Sequence, residues 1–348
     1  MSEYLTRRGD GKPLWMTKKQ IRDDLEAGTK AMAESAKIPE LTSSELDHLE
    51  EIITTPNRVV TVKPGCEVVL TNDCPPMKLV RAFVPCSREE ALVIYERVIC
   101  TDTIELGHYD YSFKQVKPIV HIEQSVLQNV INMTMVPIFY GSMPNITLYY
   151  TKVGPFPEPI TLMRERKIKE AKESMEKAAD MLTEDIVYVA KKMYSVGADG
   201  LNLDTTAAGG DVEFYAALRA TEIIKKECPD LTIEMGMAGE CILGFHAELK
   251  YQGVRLTGLW PHQQLKVAEK AGVDIFGPAI NTKPSKSFPW NLAYAVTAVK
   301  ECVKISNVPV HVNLGMGVGG IPMLDETPID SVSRACKAMI EVAGVDGV

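Results

Sequence analysis

Short apolar stretches that end in polar residues alternate with helical stretches along most of this chain. Six of these stretches are predicted strands, at residues 102–108, 135–145, 198–206, 231–240, 273–281 and 308–317. They mostly recur at intervals of roughly 30 to 40 residues, the length of one β/α unit. Between the second and third strands, residues 164–196 predict a long helical insertion. The pattern therefore predicts repeated strand-helix units with parallel connections.

Polar residues lie at the carboxyl ends of nearly all these predicted strands, which favours a barrel over an open sheet. In a barrel those ends form one mouth, whereas an open sheet gathers its ligands mainly at one switch point. The predicted fold class is α/β, a (β/α)8 TIM-type barrel that is incomplete at the C-terminus, with an N-terminal α+β extension. We assign residues 1–95 to the extension and residues 96–348 to the barrel, with about six of eight units complete.

The predicted extension changes character along its length. Residues 14–55 are predicted to be helical, with a capping box in which Thr42 is followed by Glu45. Residues 59–85 contain prolines and a glycine around short apolar runs, and they predict short strands and turns.

The last six residues, AGVDGV (343–348), resemble the start of two earlier strands. VGADGLNLDTT begins at Val196 and AGVDIFGPAIN begins at Ala271, and in each a helix ends at glycine before the strand begins. By this comparison AGVDGV is the first half of a seventh strand.

Composition narrows the class of protein and of partner. The chain has 348 residues, 45% of them hydrophobic, and a formal net charge of −8, which is typical of a soluble globular protein and disfavours nucleic-acid or anionic-membrane partners. It has no apolar run long enough to span a membrane and no signal peptide, so we expect a cytoplasmic protein. Its eight cysteines lack metal-ligand spacing, and no metal site is expected.

The predicted barrel mouth is rich in carboxylates and amides. A negative concave site of this kind suits an ammonium group or general acid-base chemistry. Such residues also cap helices, so about half of them are expected to be structural. Asp204 and Glu234 are the strongest functional candidates, because each follows an apolar stretch and precedes small residues. The full set is Glu105, His108, Asp110, Asn145, Asp204, Thr205, Thr206, Glu234, Glu240, Asn281 and Asn313.

The stretch GLWPHQQ (258–264) has two interpretations. Trp260 and Pro261 offer a rigid apolar wall beside the polar groups of His262 and Gln263. The alternative is a helix start with Pro261 at its first position.

The stretch GMGVGG (315–320) matches a dinucleotide-binding pattern through Gly315, Gly317 and Gly320. No helix is predicted to open there, since the next one is expected at TPID, with Thr327 as its cap and Pro328 at its first position. A flexible glycine loop that admits a bulky ligand, or another protein's cofactor, fits the sequence better. No strand end carries an evident nucleophile or electrophile, and Lys283 is expected in a loop.

Six motifs together closely resemble the dimethylamine:corrinoid protein methyltransferase family. They are ELGHYDYSFK (105–114), FYGSMPNITLYYT (139–151), GADGLNLDTTAAGGD (197–211), EMGMAGECILGFH (234–246), GLWPHQQ and NLGMGVGGIPML (313–324). The resemblance extends over almost the whole chain, from about Tyr4 to Val348.

The resemblance implies transfer of a methyl group from dimethylamine to the Co(I) of a separate corrinoid protein, with release of monomethylamine, as the entry step of growth on methylamines, notably in methanogenesis. It also implies pyrrolysine, encoded by an in-frame UAG codon directly after GVDG and an aliphatic residue, here Val348. The pyrroline imine would supply the missing electrophile. The corrinoid belongs to the cognate partner protein, and we expect a homo-oligomer that binds no cofactor tightly itself.

Within that reaction, site roles are assigned by predicted position. The candidates for amine binding and proton transfer are Asp204, Glu234, Glu240 and His262. The candidates for contact with substrate or corrinoid are Glu105, His108, Asn145, Gln263, Asn313, Gly315 and Gly317.

The C-terminus departs from the family, and two alternatives remain open. We expect that UAG was read as a stop, so that roughly 70 to 100 further residues complete the barrel, and that the 348-residue fragment has doubtful activity. One alternative is a non-catalytic truncated remnant that only docks the corrinoid protein. The other is a phosphate-binding barrel lyase, which the acidic mouth disfavours.

Overall fold

A computed structural model describes residues 3–66, 68, 108–109, 139–141, 146–150, 154–244, 249–324 and 327–348. The strands in these ranges are β1 (Glu3–Arg7), β2 (Pro13–Thr17), β3 (His108–Tyr109), β4 (Phe139–Gly141), β5 (Gly200–Thr206), β6 (Thr232–Met237), β7 (Lys250–Tyr251), β8 (Val254–Arg255) and β9 (Ile275–Gly277). The α-helices are α1 (Lys18–Ala36), α2 (Ser43–Thr54), α3 (Pro159–Arg164), α4 (Ile168–Ser195), α5 (Asp211–Glu227), α6 (Pro261–Ala271), α7 (Phe288–Ile305) and α8 (Ile329–Ala338). A 3-10 helix spans Ile146–Tyr150 and a π-helix spans Met339–Ala343.

The described chain divides into two compact units, and the first combines Met1–Ile138 with Gly277–Val348. Its core includes the packing of α1 against α7. Gly28 of α1 lies so close to α7 that a Cβ there would be 2.2 Å from the Trp290 carbonyl oxygen. At the next residue of α1, the Thr29 hydroxyl accepts a hydrogen bond from the Thr297 hydroxyl of α7 at 2.9 Å. These close contacts bury the apolar side of α1.

The C-terminal segment of this unit pairs with residues 310–312. His311 and Gly347 form a parallel bridge, and the Val312 N–H donates to the Gly347 carbonyl at 3.1 Å. The Asp346 carboxylate accepts the Val310 N–H at 2.8 Å. AGVDGV therefore lies parallel to residues 310–312 through an isolated bridge, and the strand predicted at 308–317 is present only as isolated bridges.

The second unit, Phe139–Phe276, contains a parallel sheet and the helices α3 to α6. β4 pairs in parallel with β5, β5 pairs in parallel with β6, and β9 lies beside β6. Leu203 and Met235 are fully buried on one face of the sheet. The long helix α4 packs against α5, as the predicted helical insertion requires.

Several sequence predictions are confirmed with shifted ends. The strands predicted at 198–206, 231–240 and 273–281 are present as the shorter β5, β6 and β9. The prediction of helix at 14–17 is wrong, because Pro13–Thr17 pairs antiparallel with Glu3–Arg7. The predicted cap at residue 42 is confirmed: the Thr42 N–H donates to the Glu45 carboxylate at 2.8 Å. The closed barrel and the boundary at residue 95 stay predictions.

Within the described ranges, no helix combines the length and apolar character needed to cross a membrane.

Candidate active site

The adjacent strands β5 and β6 present a polar face opposite their apolar one. Residues alternate between the two faces of a strand, so Asn202 and Asp204 share one face of β5 while Leu201 and Leu203 share the other. In the register of the pair, Asn202 lies beside Glu234. Asn202 is 7% exposed and Glu234 is 3% exposed. A polar amide and a carboxylate therefore lie side by side within the sheet.

Gly236 brings Asp204 into the same group. A Cβ at position 236 would lie 2.7 Å from Asp204 Oδ1 and 3.4 Å from Asn202 Oδ1. The Asp204 carboxylate therefore lies over the backbone of β6, in space that only glycine leaves open. The structure brings the two strongest candidates to one face of two neighbouring parallel strands, with Asp204 near the carboxyl end of β5 and Glu234 in the middle of β6.

Glu240 lies in the segment that follows β6, and it is half-buried. That segment is held by its backbone: the Gly258 N–H donates to the Ile242 carbonyl at 2.8 Å, and the Asp211 N–H donates to the Leu243 carbonyl at 2.7 Å. The Thr257 hydroxyl donates to the Asp211 carboxylate at 2.9 Å. Glu240 is thus carried by an anchored segment at the same end of the sheet.

The GLWPHQQ stretch begins helix α6, so the structural interpretation of this motif is confirmed. Pro261 is the first helical residue, and the Gln263 side chain accepts the Trp260 N–H at 3.0 Å. Gln263, predicted to bind a ligand, therefore caps the helix. His262 is half-buried in the first turn. Gln264 is fully buried, and its amide donates to the Leu259 carbonyl at 2.9 Å.

Sequence reasoning missed a buried carboxylate, Glu213, at the start of α5. Glu213 is 3% exposed, and its carboxylate accepts the Gly209 N–H at 3.2 Å. Burial raises the pKa of Glu213, and the surrounding backbone N–H groups oppose that rise. One signal was available: Glu213 comes three residues after the Gly210 helix cap, the position of the acidic residue in a capping box.

The glycine-rich segment 315–320 belongs to the first unit and is a turn. The Val318 N–H donates to the Gly315 carbonyl at 2.6 Å, and the Thr282 N–H donates to the Gly317 carbonyl at 2.7 Å. Gly317 has a φ of 87°, which favours glycine. The glycine-rich loop therefore forms a hydrogen-bonded turn, and its contact with a bulky ligand stays a prediction. The next helix begins at Ile329, one residue later than the predicted start at Pro328.

The remaining candidates are distributed as follows. Asn313 is exposed just before the glycine turn. His108 lies in β3, and Glu105 and Asn145 lie outside the described residues. In the part of the chain that the structure describes, no three His, Cys, Asp or Glu side chains are grouped so that they could hold a metal ion.

Carboxylates gathered at the carboxyl ends of neighbouring parallel strands are typical of α/β enzymes with sites for small polar ligands. A family model described as dimethylamine methyltransferase matches residues 2–348. The chain therefore belongs to the dimethylamine methyltransferase family, which confirms the resemblance carried by its sequence motifs.

Proposed function

We propose that this protein transfers a methyl group from dimethylamine to the Co(I) of a corrinoid bound to a separate partner protein, and releases monomethylamine. Family membership supports methyl transfer from dimethylamine. The observation that carries the assignment to a site is the shared face of Asp204 and Glu234, where Gly236 leaves room for the Asp204 carboxylate.

The chemistry of the reaction explains why carboxylates suit this site. When the methyl group leaves, its bond to nitrogen breaks and the nitrogen keeps the electron pair, so the nitrogen must be protonated for monomethylamine to leave as a neutral amine. Cobalt supplies the two electrons of the new bond to carbon. Carboxylates at the site hold the ammonium form of the substrate by charge and keep this proton on the nitrogen as the bond breaks. We assign these tasks to Asp204 and Glu234, with Glu240 and His262 as further candidates.

We further propose that pyrrolysine follows Val348 in the full-length protein. This proposal is supported by the family resemblance and by the parallel pairing of His311 with Gly347, in which a residue after Val348 would continue the strand towards Asn313. The pyrroline imine supplies an electrophilic carbon, which ordinary side chains lack. The DNA should carry an in-frame UAG after codon 348 and an open frame beyond it, and UAA or UGA at that codon would contradict the proposal.

The corrinoid would contact the glycine turn at 315–320 and Asn313, which lies two residues before it. Gly315 has open space where a Cβ would lie, and Met316 beside it is 54% exposed. Open, apolar surface of this kind suits a large flat ligand presented by another protein. We propose Asn313, Gly315 and Gly317 for this contact.

The decisive experiment measures methylation of the reduced corrinoid protein by its absorbance change. It compares the UAG read-through product with the 348-residue chain. The read-through product should methylate the corrinoid with dimethylamine and not with monomethylamine or trimethylamine. If both products are inactive, the alternative of a docking remnant is favoured.

Substitutions locate the reaction on the chain. Asp204→Asn and Glu234→Gln should each lower kcat by about 100-fold, the typical contribution of a positioned acid or base. Asp230→Asn is the matched control, because Asp230 is an exposed carboxylate in the turn at the amino end of β6. Full activity of both site variants would refute the assignment even if the reaction itself is confirmed.

A further inference from the structure

Glu213 lies where two segments that follow neighbouring strands of the sheet meet. Its carboxylate accepts the Gly209 N–H from the loop after β5 at 3.2 Å, and the backbone of Ala207 and Ala208 in the same loop lowers its pKa against the effect of burial. Ile146, from the segment after β4, lies against the same loop: a Cβ at Gly209 would be 2.4 Å from its Cγ2. One buried carboxylate therefore holds the loop after β5, and that loop packs against the segment after β4.

The glycine before α5 shows how closely the loop is drawn onto this carboxylate. A Cβ at position 209 would lie 2.4 Å from a methyl carbon of Ile146 and 2.9 Å from Glu213 Oε2. Both distances are shorter than any normal contact, so no larger residue fits unless the two segments separate. The arrangement depends on Gly209 and Glu213 together.

Asp211, in the same turn of α5, fixes the segment that follows β6. Its N–H donates to the Leu243 carbonyl, and its carboxylate accepts the Thr257 hydroxyl. A Cβ at Gly244 would lie 2.5 Å from the Asp211 carboxylate. The first turn of α5 therefore holds the segments that follow β5 and β6.

The position of these segments indicates what the contacts of Glu213 contribute. The loop held by Glu213 begins directly after Thr206, at the end of the strand that carries Asp204. A carboxylate buried at 3% exposure loses its hydration, and the hydrogen bond from the Gly209 N–H offsets part of that loss only in one loop conformation. Because a displacement of about 1 Å in a reacting group can cost about 100-fold in rate, fixing this loop matters for catalysis.

We propose that Glu213 is a positioning residue for methyl transfer: it holds the loop after β5 so that Asp204 stays in its productive place. This inference rests on the proposed function. Glu213 itself is enclosed by backbone and acts through the loop, so it is not a catalytic residue.

The test combines kinetics with hydrogen exchange in three variants. Glu213→Gln keeps the size of the side chain but turns an amide NH2 towards backbone donors. Gly209→Ala displaces the same loop without removing the carboxylate, and it serves if Glu213→Gln fails to fold. Glu227→Gln is the matched control, because Glu227 lies at the other end of α5 in an exposed ion pair with Lys191.

In the read-through product, Glu213→Gln and Gly209→Ala should lower kcat by about 10- to 100-fold while KM changes less than about threefold. Exchange of the backbone amides at 207–209 should accelerate about tenfold, with no change in the last two turns of α5. Glu227→Gln should alter none of these quantities.

Three results would overturn the inference: unchanged kcat in the folded variants, unchanged exchange at 207–209, or faster exchange spread evenly over Phe139–Phe276, which would indicate a general loss of stability. A wild-type product that is inactive with dimethylamine would instead overturn the proposed function. Activity of the wild type together with full activity of Glu213→Gln overturns the positioning role alone.

Discussion

Gly236→Ala should lower activity through Asp204 while leaving the protein folded. The methyl group that alanine adds at this position would lie 2.7 Å from Asp204 Oδ1, whereas ordinary contact begins near 3.4 Å. The carboxylate must therefore move by about 0.7 Å, and Asn202 Oδ1 is already at the contact limit on the other side.

The magnitude follows from this displacement. A misplacement of about 1 Å costs about 100-fold in rate, so about 0.7 Å should lower kcat by at least about tenfold. The stability cost should be within about 1 kcal/mol, because a carboxylate can turn away more easily than backbone and because alanine is favoured over glycine in a strand by roughly 0.5–1 kcal/mol.

The assay is methyl transfer to the reduced corrinoid protein, with the free energy of unfolding measured by chemical denaturation on the same preparation. Thr232→Ala is the matched control, since Thr232 shares the face and strand of Gly236 but lies at the amino end of β6. A Gly236→Ala protein that keeps kcat within twofold of wild type would refute the role of Asp204. A loss of more than about 3 kcal/mol would refute the reasoning that the carboxylate gives way.

Three further predictions concern stability of the chain. Gly28→Ala should destabilise it by about 2 kcal/mol in thermal unfolding, because the methyl group would overlap the Trp290 carbonyl at 2.2 Å; a raised melting temperature would contradict this. Burial raises the pKa of Glu341, but hydrogen bonds, above all from Lys337, outweigh burial and hold this pKa below its ordinary value of 4.5. The ionised carboxylate therefore stabilises the fold above pH 4.5, and this stabilisation is lost as the pH falls through the lowered pKa. Glu341→Gln should therefore lower the melting temperature at pH 7 and not at about pH 3, and an equal loss at both would be inconsistent with ionisation. Asp346→Ala should cost about 1 kcal/mol by removing its 2.8 Å hydrogen bond to residue 310, detectable as faster amide exchange there, whereas unchanged exchange would show that the pairing does not need it.

Local patterns in the sequence predict much of the second unit. Short apolar stretches with polar ends are enough to predict β5 and β6, and the alternation within GLNLDTT and TIEMGM places leucine, isoleucine and methionine on one face and Asn202, Asp204 and Glu234 on the other. The positions of Asp204 and Glu234 follow from the same alternation and from the parallel register. The prediction of a helix at 14–17 failed because its hairpin partner, Glu3–Arg7, stabilises a strand there through pairing that helical periodicity does not reveal.

Glu213 could not be assigned its role from local sequence, although its position after Gly210 marks it as a residue of the first helical turn. An ordinary capping carboxylate would bond its own helix start, and it would stay partly exposed to water. Here the loop residue Gly209 and the distant Ile146 enclose it, and that enclosure exists only once β4 and β5 are paired. The two glycines of TTAAGGD are required for different reasons. Gly209 leaves room for Ile146 and the Glu213 carboxylate, and Gly210 adopts a φ of 86° where the chain turns into α5. The motif GADGLNLDTTAAGGD thus divides into a strand, a loop held by Glu213 and a turn, and Asp204, the residue that we propose to act on the substrate, lies in the strand.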